Sequence, residues 1–273
     1  MNRERLLDAP FAYGRTAEIF AWPDGRVLKL FRSGWSEAGA RYEAEKAEAV
    51  YAAGLPVPAV YDVIQVNGRF GILYERITGI PLTKTFQQKP WTLVSMARLL
   101  ADLHLEMHQY RLPQLPSLRE RLARCIQGNG AMPAEVRRRL LELITTLPDG
   151  EGLGHGDFHP ENIFITDRGP IILDWMDATR GHSLGDVART SLLLRQAALP
   201  PDMPGRRFIE LIRGLFHHIY LRGYFDRQVA DKVEWHAWQT VIAAARLAED
   251  IPEERDRLIN LVRTGLAQYD VNL

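Results

Sequence analysis

Gly154–Phe164 reads GHGDFHPENIF. His155, Asp157, His159, Glu161 and Asn162 fall within eight positions there, and an apolar, strand-like run follows at once. A metal site, a catalytic base or a crowded turn could each account for so many polar groups. The flanking residues narrow the choice. IFI and IIL stand on either side of Asp167-Arg168-Gly169, so the spacing predicts a short hairpin, and Asp174 ends its second strand in ILDW. Asn162 follows Asp157 by five positions and precedes Asp174 by twelve. The hairpin therefore brings Asn162 and Asp174 to one mouth. An amide oxygen and a carboxylate are hard donors of the kind Mg²⁺ takes together with phosphate oxygens. Asp157, beside such a metal but not bound to it, could orient a hydroxyl and accept its proton.

Upstream, the first third reads as strands with one helix. Pro23-Asp24-Gly25 separates the apolar runs GRTAEIFAW and RVLKLF, and Asn67-Gly68 joins two further strands; both are hairpin turn chemistry. Residues 36–53 are rich in Ala and Glu, with Ser36 as the expected cap and Gly54 and Pro56 as the stop. After ITGIPL the pattern turns helical: 92–110, 117–127 (Ser117 and Glu120 forming a capping box) and 133–147, then nearly continuous helix from Leu184.

HGD-x-x-x-x-N followed by LDW resembles the aminoglycoside phosphotransferase and choline kinase-like family, relatives of protein kinases that phosphorylate small molecules. The resemblance extends over VLKLF, GLPVP, LYERITG and GDVAR. It implies an α+β, bilobal, protein-kinase-like fold, with an N-terminal antiparallel β-sheet lobe carrying one helix and a larger, mainly helical C-terminal lobe. The divisions expected are 1–77 for the nucleotide-binding lobe, 78–90 for a hinge or linker, and 91–273 for the helical lobe with catalytic loop and substrate pocket. Implied with it are ATP or GTP and Mg²⁺, and a phosphotransferase acting on a hydroxyl of a small molecule.

Residue by residue, the resemblance makes Asp157 the catalytic base and Asn162 and Asp174 the Mg²⁺ ligands. It makes Lys29 the phosphate-holding lysine. The lysine's partner is then a helical glutamate: Glu43 shares a face with Ala47, Val50 and Gly54, and Glu45 with Ala49 and Ala52. Glu43 is preferred because its face leads into the GLPVP turn. The Glu75 carbonyl and Ile77 amide become the groups that read the base, in the cleft between the lobes. Gly14, Arg15 and Thr16 become the phosphate loop, which has one glycine where protein kinases have G-x-G-x-x-G. His155 and His159 are expected to orient the loop, and Asp186 to cap its helix and brace the loop. His104 is expected as a satisfied core histidine.

Two other readings stand beside this one. H-x-D-x-H offers His155, Asp157 and His159 to a transition metal, with Asp174 and His182 as further ligands, as in a metal-dependent phosphoesterase. A nucleotide-binding pseudoenzyme on the same fold is the other. Only twelve residues separate Asp174 from Asp186, and Ala-Pro-Glu is missing, so a polypeptide-docking activation segment does not fit and a small-molecule acceptor is expected.

Bulk properties exclude other classes. The 273 residues are 46% hydrophobic and 25% charged, enough for a sizeable core. Formal net charge is zero, which argues against a nucleic-acid partner. No run approaches the ~20 apolar residues of a membrane span, and the N-terminus lacks a signal core, so a cytoplasmic location is expected. The lone Cys125 excludes an internal disulfide and is expected as a buried thiol. Glu249, Asp250, Glu253 and Glu254 are expected on a solvated face that could form an acidic rim for a cationic substrate. Oligomeric state is not encoded in any motif.

Overall fold

The computed structural model describes residues 2–3, 8–196 and 205–271. In chain order, β1 (Asn2–Arg3), β2 (Ala12–Tyr13), β3 (Ala17–Trp22) and β4 (Arg26–Phe31) precede α1 (Glu37–Ala52). Next come β5 (Val60–Val66), β6 (Arg69–Glu75), β7 (Ile80–Pro81) and α2 (Leu82–Gln88). Three helices follow, α3 (Leu93–Met107), α4 (Leu118–Gly128) and α5 (Ala134–Thr146). Short strands β8 (Gly152–Gly154), β9 (Ile163–Thr166), β10 (Gly169–Ile172) and β11 (Thr179–Gly181) carry the polar motif. The chain ends with α6 (Ser183–Gln196), α7 (Arg206–Phe225), α8 (Lys232–Arg246) and α9 (Arg255–Val271). The 78–90 segment is more than a linker, since it holds β7 and α2.

Two compact units divide these elements: Met1–Thr85 with Glu161–Met176, and Phe86–Pro160 with Asp177–Leu273. In the first, the sheet order is β1-β5-β6-β4-β3-β2. Five strands are antiparallel, and β1 adds a short parallel edge on β5 that no turn signal announced. Asp24 and Gly25 have φ of 60° and 67°, and Asn67 and Gly68 have 49° and 77°. These left-handed values match the right-handed twist of the strands they join, which is why such dipeptides turn hairpins. β10, β9 and β7 form a second small sheet in this unit.

Alternation along β4 sorts its side chains. Leu28 and Leu30 enter one apolar cluster with Phe20, Val66 and Leu73. Phe31 enters the other, with Ala40 and Ala44 of α1 and Ile72. Lys29 shares the Phe31 face by the two-residue period of a strand, so it points toward the helix. α1 buries Ala40, Glu43, Ala44, Ala47 and Val50, a 3.6-period stripe whose only acid is Glu43. Ser36 caps it by accepting the Gly39 N–H at 3.0 Å.

The second unit is a helical core. Leu122 and Ile126 of α4, Leu140 and Leu143 of α5, Ala188 of α6, Trp238 and Val241 of α8 and Leu258 of α9 pack together. Each buried leucine contributes on the order of 1.5–3 kcal/mol. Cys125 is only partly buried at the edge of this cluster, contrary to expectation, because its helix buries the neighbouring Leu122–Ile126 stripe instead. No described helix is long and apolar enough to cross a membrane.

Candidate active site

In the first unit the lysine meets both carboxylates. Lys29 Nζ lies 2.7 Å from Glu43 Oε1 and 2.9 Å from Asp174 Oδ1. Glu43 is 2% exposed, whereas Glu45 is exposed, so packing selects the first of the two glutamates considered. Burial by itself lowers the Lys29 ammonium, but Asp174 and Glu43 outweigh it and hold the pKa above its ordinary value. Tyr74, buried beside the same groups, was not anticipated from the sequence; burial first, then the Glu43 charge, pushes its phenol up.

The β9–β10 hairpin brings Asn162 and Asp174 to one end, as its spacing predicted. Ile163 pairs with Ile172, and Leu173 N–H donates to Asn162 O at 2.8 Å. Asp174 has φ of 61°, a left-handed backbone that costs free energy in a non-glycine residue and gathers at functional sites. The loop beyond it is fastened. Trp175 is buried and donates its Nε1–H to Ile172 O, and Lys46 Nζ donates to Met176 O at 2.8 Å. Lys46 sits one turn after Glu43 on α1; nothing local to it in sequence signalled that bond.

The Gly14–Thr16 turn is self-bonded. Gly14 N–H donates to Ala17 O at 2.8 Å, and Arg32 Nε donates to Arg15 O at 3.1 Å. The Gly14 amide is thus spent inside the turn. Thr16 lends its carbonyl to Arg32 N–H. Glu75 pairs with Arg26 in the ladder, and its carboxylate takes Arg168 Nη2 at 2.6 Å and Ala59 N–H at 3.3 Å. Its side chain is occupied by protein. Ile77 follows in irregular backbone.

In the second unit, the loop carrying Asp157 is built around Asp186. Asp186 is 3% exposed and lies in the first turn of α6. Its Oδ2 accepts His155 N–H at 2.7 Å and its Oδ1 accepts Gly156 N–H at 2.8 Å. His104 Nε2 meets Oδ2 at 3.0 Å, and His108 Nε2 lies 3.5 Å away. Tyr220 and Tyr224 hydroxyls orient the two imidazoles from behind, at 2.6 and 2.8 Å from their Nδ1 atoms. Burial pushes His104 down to about 4, and its neutral ring helps hold the Asp186 carboxyl well below the usual range against the opposing effect of burial. His104 is a satisfied core histidine and Asp186 a brace. Gly156 has φ of 80°, and a Cβ there would meet Asp177 O at 2.5 Å, so the turn admits only glycine.

Asp157 is part-exposed, with His159 Nε2 at 3.3 Å from its Oδ2. Burial favours its neutral form, but His159, Arg189 and His155 overcome that and hold the carboxyl well below its ordinary value. It is an ionised acceptor. The H-x-D-x-H metal reading fares worse. His155 is fully buried and its Nδ1 accepts Asp157 N–H at 3.2 Å, while His182 stacks on Trp238. The acidic rim is corrected at two of its four residues. Asp250 and Glu253 are exposed as expected, but Glu254 is 2% exposed and bonded to Arg246, and Glu249 is paired with Arg189 and Arg246. Arg189, absent from the sequence-based site, lay unassigned within GDVAR.

No curated protein matches the sequence significantly. Among solved structures, a thermostable mutant of an aminoglycoside phosphotransferase, in ternary complex with ADP and hygromycin B, has a TM-score of 0.61 at 14% identity, covering 96% of this chain and 92% of that one. An amicoumacin kinase solved with AMP-PNP and Ca²⁺ has a TM-score of 0.59 at 15% identity, covering 94% and 87%. A choline/ethanolamine kinase family protein from Mesorhizobium loti has a TM-score of 0.58 at 16% identity, covering 96% and 92%. These likenesses establish the α+β, protein-kinase-like fold. A model of the phosphotransferase enzyme family matches residues 14–230, and with most of its length so accounted for, the chain belongs to that family.

Proposed function

We propose that the protein is a nucleotide- and Mg²⁺-dependent kinase that phosphorylates a hydroxyl of a small molecule. The observation that carries this reading is Lys29 Nζ bonded to both Glu43 and Asp174. Glu43 holds the ammonium in the orientation that receives the nucleotide phosphates, and Asp174 occupies it otherwise. ATP or GTP is the donor, because the expected contacts of Glu75 and Ile77 are backbone groups.

The residues fit the metal. Asn162 and Asp174 are an amide and a carboxylate at one end of a hairpin, and they would hold Mg²⁺ through oxygen. Bound there, the ion supplies charge neutralisation at the transferring phosphoryl group. The chain's own residues supply positioning. Lys29 binds the phosphates, Arg15 and Thr16 approach them through the turn, and the ionised Asp157 accepts the acceptor hydroxyl's proton. Asp186 keeps the Asp157 loop rigid through two backbone bonds. Positioning and charge account for most of such a reaction.

The acceptor is a small molecule, in line with the hygromycin B and choline/ethanolamine named for structural neighbours. A nucleotide-consumption screen over small alcohols, amino alcohols, sugars and aminoglycosides tests the proposal. Asp157→Asn should lower turnover about 10²–10⁴-fold and leave nucleotide affinity nearly intact. Wild-type turnover in that variant removes Asp157 from the role of base. Nucleotide binding with no transfer to any acceptor favours the pseudoenzyme reading instead.

A further inference from the structure

Resting on Asp157 as the base, we infer that Arg189 and Glu249 are positioning residues for it: Arg189 steadies the Asp157 loop, and Glu249 holds the guanidinium back from clamping the carboxylate. Arg189 leaves α6 three residues after Asp186, on the same side of the helix. Asp186 takes the Gly156 N–H, and Arg189 Nε donates to Gly156 O at 3.0 Å. The residue immediately before Asp157 is therefore gripped at both its amide and its carbonyl.

The rest of the guanidinium is shared unequally. Arg189 Nη2 lies 2.8 Å from Glu249 Oε1 and 3.8 Å from Asp157 Oδ1. The first is a charge-assisted hydrogen bond; the second is ion-pair attraction beyond hydrogen-bond range. A closed arginine–carboxylate fork would put N–H donors on the oxygen that must take a proton. Glu249 opposes that closure and is itself pinned. Arg246 Nη1 holds its other oxygen at 2.6 Å, and buried Glu254 anchors Arg246 at 2.8 and 3.0 Å. The titratable groups facing Asp157 are His159, His155 and Arg189. Of these, Arg189 alone has its distance set by a competing carboxylate in the contacts above. An ion network that merely ties α6 to the α8–α9 corner would not need Nε on the Gly156 carbonyl.

The test uses the full chain at pH 7 with two readouts: amide hydrogen exchange of the Gly156–Asp157 loop, and Mg·ATP consumption with water as the sole acceptor. Arg189→Met should speed exchange of the loop amides and slow consumption, each ~10–100-fold. Arg189→Lys should recover part of both, since an ammonium keeps the charge and a donor but lacks the fork. Glu249→Gln should slow consumption ~10-fold in the wild-type background and have no effect alongside Arg189→Met, a coupling that general loosening does not produce. Unchanged loop exchange in Arg189→Met overturns the inference even if no consumption is measurable. So does an equal effect of Glu249→Gln in both backgrounds. A wild-type rate in Asp157→Asn would instead sink the base assignment beneath it.

Discussion

Asp174 and Asp186 lie twelve residues apart in the chain, yet the two units hold them by opposite means. The Asp174 side chain is 43% exposed, sits on a left-handed backbone and is paired with the ammonium of Lys29. The Asp186 side chain is buried, takes two backbone N–H groups and faces two buried imidazoles. A part-exposed carboxylate whose ammonium partner keeps a second carboxylate, Glu43, can change partners at little cost, which suits a metal ligand. A carboxylate saturated in a dry site cannot, and that suits a brace. The difference shows that charge alone does not mark a functional acid; the way its partners are supplied does.

The same substitution in the two places should break this comparison if it is wrong. Asp186→Asn should cost about 3–5 kcal/mol in urea unfolding, because the loop amides and the histidines lose the charged acceptor they share. A loss below 1 kcal/mol would mean that the buried cluster is dispensable.

Acid should probe the same cluster without mutation. His104 has a folded pKa of about 4, below the ~6.5 of an unfolded histidine. The unfolded chain therefore binds more protons as pH falls. The stability due to neutral His104 is complete above about pH 6.5 and is lost progressively down to about pH 4, by roughly 3 kcal/mol. His217, also lowered to about 4 by burial, adds to the slope. Urea midpoints at pH 7, 5.5 and 4.5 should fall in order, and His104→Gln should flatten the trend. A level series in the wild type contradicts the assignment. The depressed Asp186 carboxyl loses its contribution only at still lower pH, below the unfolded carboxylate value.

Smaller effects are expected in the first unit. Ser36→Ala removes the cap of α1, the helix that carries Glu43, and should cost about 1 kcal/mol with an unchanged fold by circular dichroism. Asp174→Asn should change stability by less than about 1 kcal/mol, since its carboxylate is part-exposed and Glu43 still pairs the Lys29 ammonium. It should nevertheless abolish Mg²⁺-dependent nucleotide binding in calorimetry. Retained binding would remove Asp174 from the metal site, and a large loss of stability would erase the contrast with Asp186.

Much of this is readable in the sequence. The Asp24-Gly25 and Asn67-Gly68 turns, the Ser36 and Ser117 caps and the β9–β10 hairpin are set by residues within a few positions of one another, so periodicity and turn chemistry reveal them. The order of Asp157, Asn162 and Asp174 is legible for the same reason. Lys29 and Glu43 were legible in part: the family resemblance singled out the lysine, and the helix face leading into the GLPVP turn favoured one of two glutamates.

What neighbouring residues could not announce are contacts between distant parts of the chain. Lys46 reaches Met176 across 130 positions, and Arg189 reaches Glu249 across sixty. Glu254 looked like a solvated charge until the packing of α8 and α9 buried it against Arg246. The residue types that titrate, ligate and turn follow from the sequence by itself. Which of them are dry, which are paired and which remain able to exchange partners is decided only when the chain packs, because burial and partner geometry, rather than identity, set the free energy of a charge.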